Sequence, residues 1–220
     1  MNAMILSAGR GERMRPLTDR VPKPLLTVNG KPLIAHLIEA LVRGGILDIV
    51  INIAYLGNLI RTQLGDGTSF GAQLRYSDEG VAGLETGGGI LRALPLLDSD
   101  PFLVVNGDIF TDYAFAALPE TIPGLAHIVL ADNPAHHPEG DFGLNGNIVT
   151  NAGRRLTFAG IGLYRKALFA DPPGERFPLA PLLRKAADAG LVTGEYTRGA
   201  WTDVGTPERL ASLNAGDAWD

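Results

Sequence analysis

The sequence predicts an α/β fold, an open and largely parallel sheet with helices on both faces. Two observations carry this. Over the first two-thirds of the chain, short β-rich apolar runs alternate with amphipathic helical segments, the order expected of strand–helix–strand units. The best of these helical segments is also punctuated as a helix should be, with proline at its start and glycine after its end. At 220 residues, 45% of them hydrophobic, the chain has material for a substantial core. A chain of this size buries roughly 70% of the surface its unfolded form exposes, so no disulfide or metal staple is needed. The expectation is a single domain over residues 1–220.

In order, Ala3–Leu6 reads as a buried first strand. Pro32–Arg43 reads as a helix in which Leu33, Ile34, Leu37, Ile38, Leu41 and Val42 form one stripe at i, i+4, i+8 spacing. Pro32 suits its first turn and Gly44-Gly45 its end. Asp48–Ala54 is a second strand, Asn58–Leu64 a short helix and Gln73–Ser77 a third strand. Ile90–Leu97 looks helical, Pro101–Asn106 is another buried strand, and Leu125–Ala131 follows as a strand. Asp141–Leu144, Ile148–Thr150 and Leu156–Tyr164 read as shorter strands of a small, partly antiparallel region. Leu179–Ala189 is helical, and Thr206–Asn214 is a final helix with Thr206 as N-cap and Pro207 at its first position. No internal repeat, low-complexity tract or long linker divides the chain, and no hexapeptide pattern announces a β-helix.

Composition excludes several classes. With no cysteine there is no thiolate zinc site, thiol nucleophile or disulfide framework, which suits a reducing cytoplasm. The opening residues have only a short apolar run with no basic segment before it, so they do not read as a signal peptide. No apolar stretch approaches the roughly 20 residues that span a bilayer, so no membrane partner is expected. The net charge of −5 argues against nucleic acid, whose binders more often show a basic face. An acidic protein that handles phosphates must instead gather its cations in one place.

That place is the stretch after the first strand. Ser7-Ala8-Gly9-Arg10-Gly11 opens a glycine-rich turn, and Arg13, Arg15 and Lys23 follow among Pro16, Pro22 and Pro24. Glycines let backbone N–H groups converge on an anion because no Cβ blocks the approach. A dinucleotide fingerprint would need a third glycine where Met14 stands, and a Walker A loop would need Gly-Lys-Ser/Thr. Gly9-x-Gly11 alone is also an ordinary turn; the basic side chains beside it make sense if a triphosphate lies there.

Two aspartates come from distant segments. Asp108 follows the apolar run ending at Asn106-Gly107, just past the carboxyl end of a buried strand, where open α/β sheets bind ligands. Asp203 precedes Val204-Gly205-Thr206, a tight turn before the last helix. Either alone also suits a turn cap. Together they suit Mg²⁺, which takes one or two protein carboxylates and completes its octahedron with water and phosphate. Glu85-Thr86-Gly87-Gly88-Gly89 places three glycines before a predicted helix, either for close backbone approach to a ligand or as a flexible helix-entry loop. Asn133–Gly143 is a long polar loop with paired histidines, His136 and His137. Adjacent residues rarely chelate one ion well, so a substrate-side loop is the favoured reading. His36 and His127 lie on regular elements and read as structural.

The loop pattern Leu-Ser-Ala-Gly-x-Gly-x-Arg-Met-x-Pro-Leu-Thr-x-x-x-Pro-Lys-Pro resembles the signature of the sugar-phosphate nucleotidyltransferases, over nearly the whole chain once the later motifs are included. The resemblance implies the Rossmann-like nucleotide-diphospho-sugar transferase fold. It implies that the loop, with Ser7, Ala8, Gly9 and Gly11, wraps the nucleotide's phosphates, and that Arg13 and Lys23 contact the reacting phosphates. It makes Asp108 and Asp203 the ligands of Mg²⁺, with Arg13, Lys23 and Asp108 as the catalytic set. Glu85, Thr86, Gly87 and Gly88 are implied on the base and ribose side, with Asn106 near the ribose. His137, Gly143, Gly160 and Arg198 are implied around the sugar, Phe158 being either there or in packing. Glu12 departs from the usual threonine and is given no binding role. The family's Glu-Lys-Pro segment is missing, so Arg154, Arg155 or Arg198 is left to hold the sugar phosphate. The Asn133–Gly143 stretch and the glycine run narrow the resemblance to the branch that transfers UMP from UTP to N-acetylmuramate 1-phosphate in peptidoglycan sugar recycling. A GDP- or dTDP-sugar-forming relative shares every core motif. A non-catalytic nucleotide-binding module is the reading from another class; it would be expected to have lost a catalytic group, yet Lys23, Asp108 and Asp203 are all present.

Overall fold

The computed structural model describes residues 1–80 and 83–216. In chain order its strands and helices are β1 (Asn2–Leu6), β2 (Thr27–Val28), β3 (Lys31–Pro32), α1 (Leu33–Arg43), β4 (Asp48–Ile53), α2 (Gly57–Leu64), β5 (Gln73–Asp78), α3 (Glu85–Ala93), β6 (Phe102–Asn106), β7 (Ile109–Thr111), β8 (Ala126–Ala131), β9 (Phe142–Asn145), β10 (Ile148–Thr150), β11 (Arg155–Tyr164), α4 (Ala180–Asp188), β12 (Val192–Tyr196), β13 (Trp201–Asp203) and α5 (Pro207–Ala215).

Nine strands form one sheet in the order β5-β4-β1-β6-β11-β8-β12-β10-β9. Its first half is parallel: β1 runs beside β4 from Asn2↔Asp48 to Leu6↔Asn52 and beside β6 from Ala3↔Leu103 to Leu6↔Asn106, and β5 continues parallel to β4. The second half is mixed. β11 is antiparallel to both β6 and β8, β12 is parallel to β8, and β10 and β9 close the edge as an antiparallel meander. The carboxyl ends of β1, β4, β5, β6 and β8 therefore share one edge of the sheet. The predicted α/β architecture and its partly antiparallel region are both present.

Strand alternation splits the core into two layers. Ala3 and Ile5 of β1, with Ile49, Ile51 and Ile53 of β4, face Ile34, Leu37, Ile38 and Leu41 of α1. Met4 and Val50 point the other way, with Phe102 and Val104 of β6, toward Ile90 of α3 and Leu183 of α4. A smaller cluster of Met14, Leu26, Val28, Leu33, Val204 and Leu213 ties the glycine-rich loop to α5. Among the described residues no helix is long and apolar enough to cross a membrane.

Several elements differ from the sequence reading, the short strands β2, β3, β7 and β13 having no predicted counterpart. α3 starts at Glu85, not Ile90, so the three glycines lie inside the helix and not before it. β12, in the interior of the sheet, has no counterpart among the predicted strands. Gly194 in its middle weakens the strand pattern. A Cβ there would lie 2.7 Å from Val149 Cγ2 and 2.8 Å from the Ile128 carbonyl oxygen, so close packing requires the glycine.

Candidate active site

The loop after β1 is shaped by its glycines and held from beneath by one methionine. Gly11 has φ +68°, and a Cβ on it would sit 3.0 Å from Thr18 Cγ2. Its carbonyl accepts from the Met14 N–H (2.9 Å) and the Thr18 hydroxyl (2.8 Å). Met14, fully buried, anchors the turn in the cluster under α5.

A chain of buried hydrogen bonds fixes the loop to the sheet edge. The Ser7 N–H donates to Asn52 Oδ1 (2.6 Å), Asn52 Nδ2 donates to Glu79 Oε1 (2.6 Å), and Glu79 Oε2 accepts from the Leu84 N–H (2.7 Å). Glu79 is only 7% exposed, so these bonds satisfy a carboxylate that is otherwise costly to bury. Neither Asn52 nor Glu79 was singled out from the sequence. The available signal was a polar residue amid the apolar run of β4.

The edge opens into a cleft of about 480 Å³. Of the residues expected at the nucleotide and the reacting phosphates, Ser7, Ala8, Gly9, Lys23, Glu85, Thr86, Asn106 and Asp108 line it together, joined by Arg10, Glu12, Asn52, Glu79 and Arg176. Gly11 and Arg13 border an adjoining concavity of about 360 Å³ with Arg10, Glu12 and Gly205. Ser7 Oγ is buried in the cleft wall without a hydrogen-bond partner among the described residues. Glu85 adopts φ +61°, a strained conformation for a non-glycine residue, at the cleft rim, where its carboxylate lies 3.4 Å from Arg176 Nε. Gly87 and Gly88 stand elsewhere than the sequence suggests. They are buried in the first turns of α3, their N–H groups donate to the Phe177 carbonyl (2.9 and 3.1 Å), and neither is part of the cleft wall. A Cβ on Gly87 would fall 2.3 Å from the Phe177 ring, and one on Gly88 2.2 Å from the Glu175 carbonyl oxygen. In this structure the glycine run serves helix packing.

The two aspartates meet through a small ribbon. Asp108 follows β6 through Gly107, whose N–H donates to the Leu6 carbonyl (2.9 Å) and whose missing Cβ would strike that oxygen at 2.4 Å. β7 then pairs with β13, setting Ile109 opposite Asp203, and the Val204 N–H donates to the Asp108 carbonyl (2.7 Å). Each carboxylate has an internal cation. Lys23 Nζ lies 2.6 Å from Asp108 Oδ2. Arg209 Nη1 is bonded to Asp203 Oδ1, and His136 Nε2 lies 3.0 Å from the same oxygen. Sequence reading missed Arg209, a partly buried residue of the last helix that belongs to no motif. Among the described residues no three His, Cys, Asp or Glu side chains form a complete metal cage. Two carboxylates on segments joined by one ribbon are nevertheless a donor set a hard cation uses when phosphate and water fill its other positions.

Residues expected near the sugar are less gathered. Gly160, at φ +73° in the irregular stretch of β11 between Phe158 and Gly162, packs directly on Asn106, 2.7 Å from its Nδ2 to an added Cβ. His137 Nε2 lies 3.2 Å from Asp141 Oδ1, and Asp141 Oδ2 accepts from the Phe158 N–H (2.9 Å), which pins the polar loop to β11. Phe158 packs against the core. Gly143 lies away from the cleft, in the β9–β10 hairpin, where a Cβ would meet the Ala152 carbonyl at 2.2 Å. Arg154, Arg155 and Arg198 are exposed and outside the cleft wall. His36 bonds the Val28 carbonyl (3.0 Å) and buried His127 contacts Thr193 Oγ1 (2.9 Å), both structural.

A glycine-rich loop, a lysine and an aspartate at the carboxyl edge of parallel strands, with a second aspartate brought in by a short ribbon, are the parts of an enzyme that transfers a phosphate-containing group. Residues 2–146 match the nucleotidyl transferase family, and the chain belongs to that family. Over its whole length it is 49% identical to N-acetylmuramate alpha-1-phosphate uridylyltransferase of Neisseria meningitidis serogroup B, covering 100% of each chain. It is 34% identical to the protein of the same name from Caulobacter vibrioides, over 97% of this chain and 95% of that one. The solved structure of HddC from Yersinia pseudotuberculosis complexed with GMP-PN has the same fold, with a TM-score of 0.81 at 22% identity over 98% of each chain.

Proposed function

We propose that this chain, acting as one domain over residues 1–220, transfers UMP from UTP to N-acetylmuramate 1-phosphate and releases pyrophosphate. The observation that carries the reading is the meeting of the glycine-rich loop, Lys23 and Asp108 at one cleft, with Asp203 joined to Asp108 through the β7–β13 ribbon, in a chain similar end to end to two uridylyltransferases of that substrate. An acceptor phosphate oxygen attacks the α-phosphorus of UTP, the bond from that phosphorus to the bridging β-oxygen breaks, and the electron pair leaves with pyrophosphate. The attacking oxygen is already anionic, so positioning and charge neutralisation suffice and no covalent enzyme intermediate is needed.

In this reading Ser7, Ala8, Gly9 and Gly11 cradle the donor's phosphates, and Arg13 and Lys23 balance their charge. Asp108 and Asp203 hold Mg²⁺, which when bound orients the phosphate groups and offsets their repulsion. Lys23 exchanges Asp108 for phosphate oxygens as the donor arrives. Glu85 and Thr86 lie on the base and ribose side, and Asn106 is near the ribose. His137, Gly160 and Arg198 are assigned to the sugar side, while Gly143 shapes the β9–β10 hairpin. The reaction would return a peptidoglycan sugar to activated form in the cytoplasm, where UTP is available, without nucleic-acid or membrane partners.

The test is pyrophosphate release with Mg²⁺ across UTP, GTP, CTP, ATP and dTTP against N-acetylmuramate-, N-acetylglucosamine-, glucose- and mannose-1-phosphate. The reading requires the dominant signal at UTP with N-acetylmuramate 1-phosphate. A peak elsewhere keeps the chemistry and replaces the substrate; silence from folded protein removes both.

A further inference from the structure

The cations around the phosphate loop are not equally available. Arg15 is committed to Asp19 (2.7 Å), Lys23 to Asp108 (2.6 Å) and Arg209 to Asp203. Arg10, between the two glycines of the loop, has no ion-pair partner among the described residues. Its guanidinium instead lies over the ring of Tyr55, 3.6 Å from the centroid. Tyr55, from the connection between β4 and α2, donates its hydroxyl to the Asp19 carbonyl (2.9 Å), so the ring is tied to the far end of the same loop. Arg10 Nη1 is buried and has no hydrogen-bond partner among the described residues.

An arginine N–H buried without an acceptor is unfavourable until something supplies one. Stacking occupies one face of the guanidinium and leaves the edge N–H groups free, the groups a phosphate engages in the guanidinium plane. Arg10 lines the cleft and also, with Gly11 and Arg13, the adjoining concavity, whose wall includes neither Asn106 nor Glu85. A nucleoside triphosphate whose base lies toward Glu85 and whose α-phosphate lies by Lys23 and Asp108 runs its outer phosphates toward this arginine.

Building on the uridylyltransferase reading, we propose that Arg10 binds the outer (β and γ) phosphates of the donor. Tyr55 is its positioning residue, holding the guanidinium flat and preorganised. Charge-assisted hydrogen bonds to an oriented phosphate are the strong kind, and the loss should fall on the triphosphate alone.

The experiment is calorimetric titration of the full chain, in Mg²⁺, with UTP and with UMP, beside steady-state kinetics. Arg10→Gln should weaken UTP by about tenfold or more and leave UMP within about twofold, the loss expected of one charged hydrogen-bonded contact. Tyr55→Leu should weaken UTP about fivefold, raise KM for UTP more than it lowers kcat, and leave UMP unaffected; Tyr55→Phe, which keeps the ring, should restore most of the loss. Thermal midpoints near that of the unmodified chain certify folding, and Arg10→Lys, charged but not planar, should recover little. Equal weakening of UTP and UMP, or none, overturns the inference while unmodified protein that binds UTP keeps the functional reading. Unmodified protein that binds neither nucleotide overturns both.

Discussion

The two halves of the sheet edge hold their functional side chains in different ways. On the parallel half, β5-β4-β1-β6, the cleft wall is built from backbone and short side chains locked by buried bonds: Ser7 on Asn52, Asn52 on Glu79, Gly107 on Leu6. On the mixed half, β11-β8-β12-β10-β9, the candidate acceptor groups are long and exposed, as with Arg154, Arg155 and Arg198, or sit on the Asn133–Gly143 loop. In the proposed reading the parallel half is the donor site, and its locked wall suits one fixed task. The mixed half presents adaptable groups, the natural place for selection among sugars. Asp203 is the junction, reached from the donor side through the β7–β13 ribbon and from the acceptor loop through His136.

The largest expected effect lies at Asp108, which the same ribbon joins to Asp203. Asp108→Asn should lower turnover by about a thousandfold or more, since it removes half of the proposed cation site and the partner of Lys23. Its thermal midpoint should change little, because Asp108 is not in the core. Pyrophosphate release and a melting curve check both, and near-normal turnover would take Asp108 out of the chemistry.

Asn52→Ala probes the rigidity of the donor half. It strips acceptors and donors from the Ser7 N–H and Glu79 Oε1 in a buried setting, where each unsatisfied group carries a penalty, for a total of about 2–3 kcal/mol. The urea midpoint should fall accordingly. A shift comparable to that of a surface substitution would mean that water replaces the lost bonds and that the donor half is less rigid than it looks.

The same contrast explains what could be read from sequence. The donor half is local. A strand, a glycine turn and an aspartate at a strand end are written in consecutive residues, so Ser7, Gly9, Lys23 and Asp108 could be placed before their neighbours were known. Glu79 escaped because its partner Asn52 is distant along the chain, and Arg209 because its contacts with Asp203 and His136 depend on how the last helix packs. Gly87 and Gly88 invited a ligand reading because glycine near a cleft and glycine under a packed ring, here Phe177, leave the same trace in a sequence. β12 escaped because it is inserted between β8 and β10 by long-range pairing, and Gly194 hides its periodicity. The parallel core and the borders of α1 and α5 needed only periodicity and caps.

On the mixed half, Arg198→Ala and Arg154→Ala should separate the acceptor from the donor. At least one should raise KM for the sugar 1-phosphate about tenfold, the worth of one charged contact, while KM for UTP holds. A parallel rise in both constants would erase the division of labour between the halves.

The smallest effect concerns how the mixed half is braced. β12 carries Glu195, which accepts from the Tyr113 hydroxyl on the segment after β7 and lies 3.7 Å from His127 Nε2. The His127 imidazole lowers the Glu195 carboxyl below its ordinary value of 4.5, burial works in the opposite direction, and the Tyr113 hydroxyl again lowers it. Tyr113 is itself raised, first by burial and then by Glu195, so it stays a neutral donor at physiological pH. A carboxyl depressed in the folded state contributes stability that is present above its unfolded pKa and is lost as pH falls through the lower, folded one. Glu195→Gln should therefore cost stability at pH 7 and progressively less below the ordinary value. Because the side chain is 38% exposed, screening keeps the neutral-pH cost to about 0.5–1 kcal/mol. Urea midpoints at pH 7 and at successively lower pH measure it. A cost that persists undiminished in acid would assign the brace to the shape of the contact with Tyr113 and not to its charge, making this corner of the mixed half as rigid as the donor side.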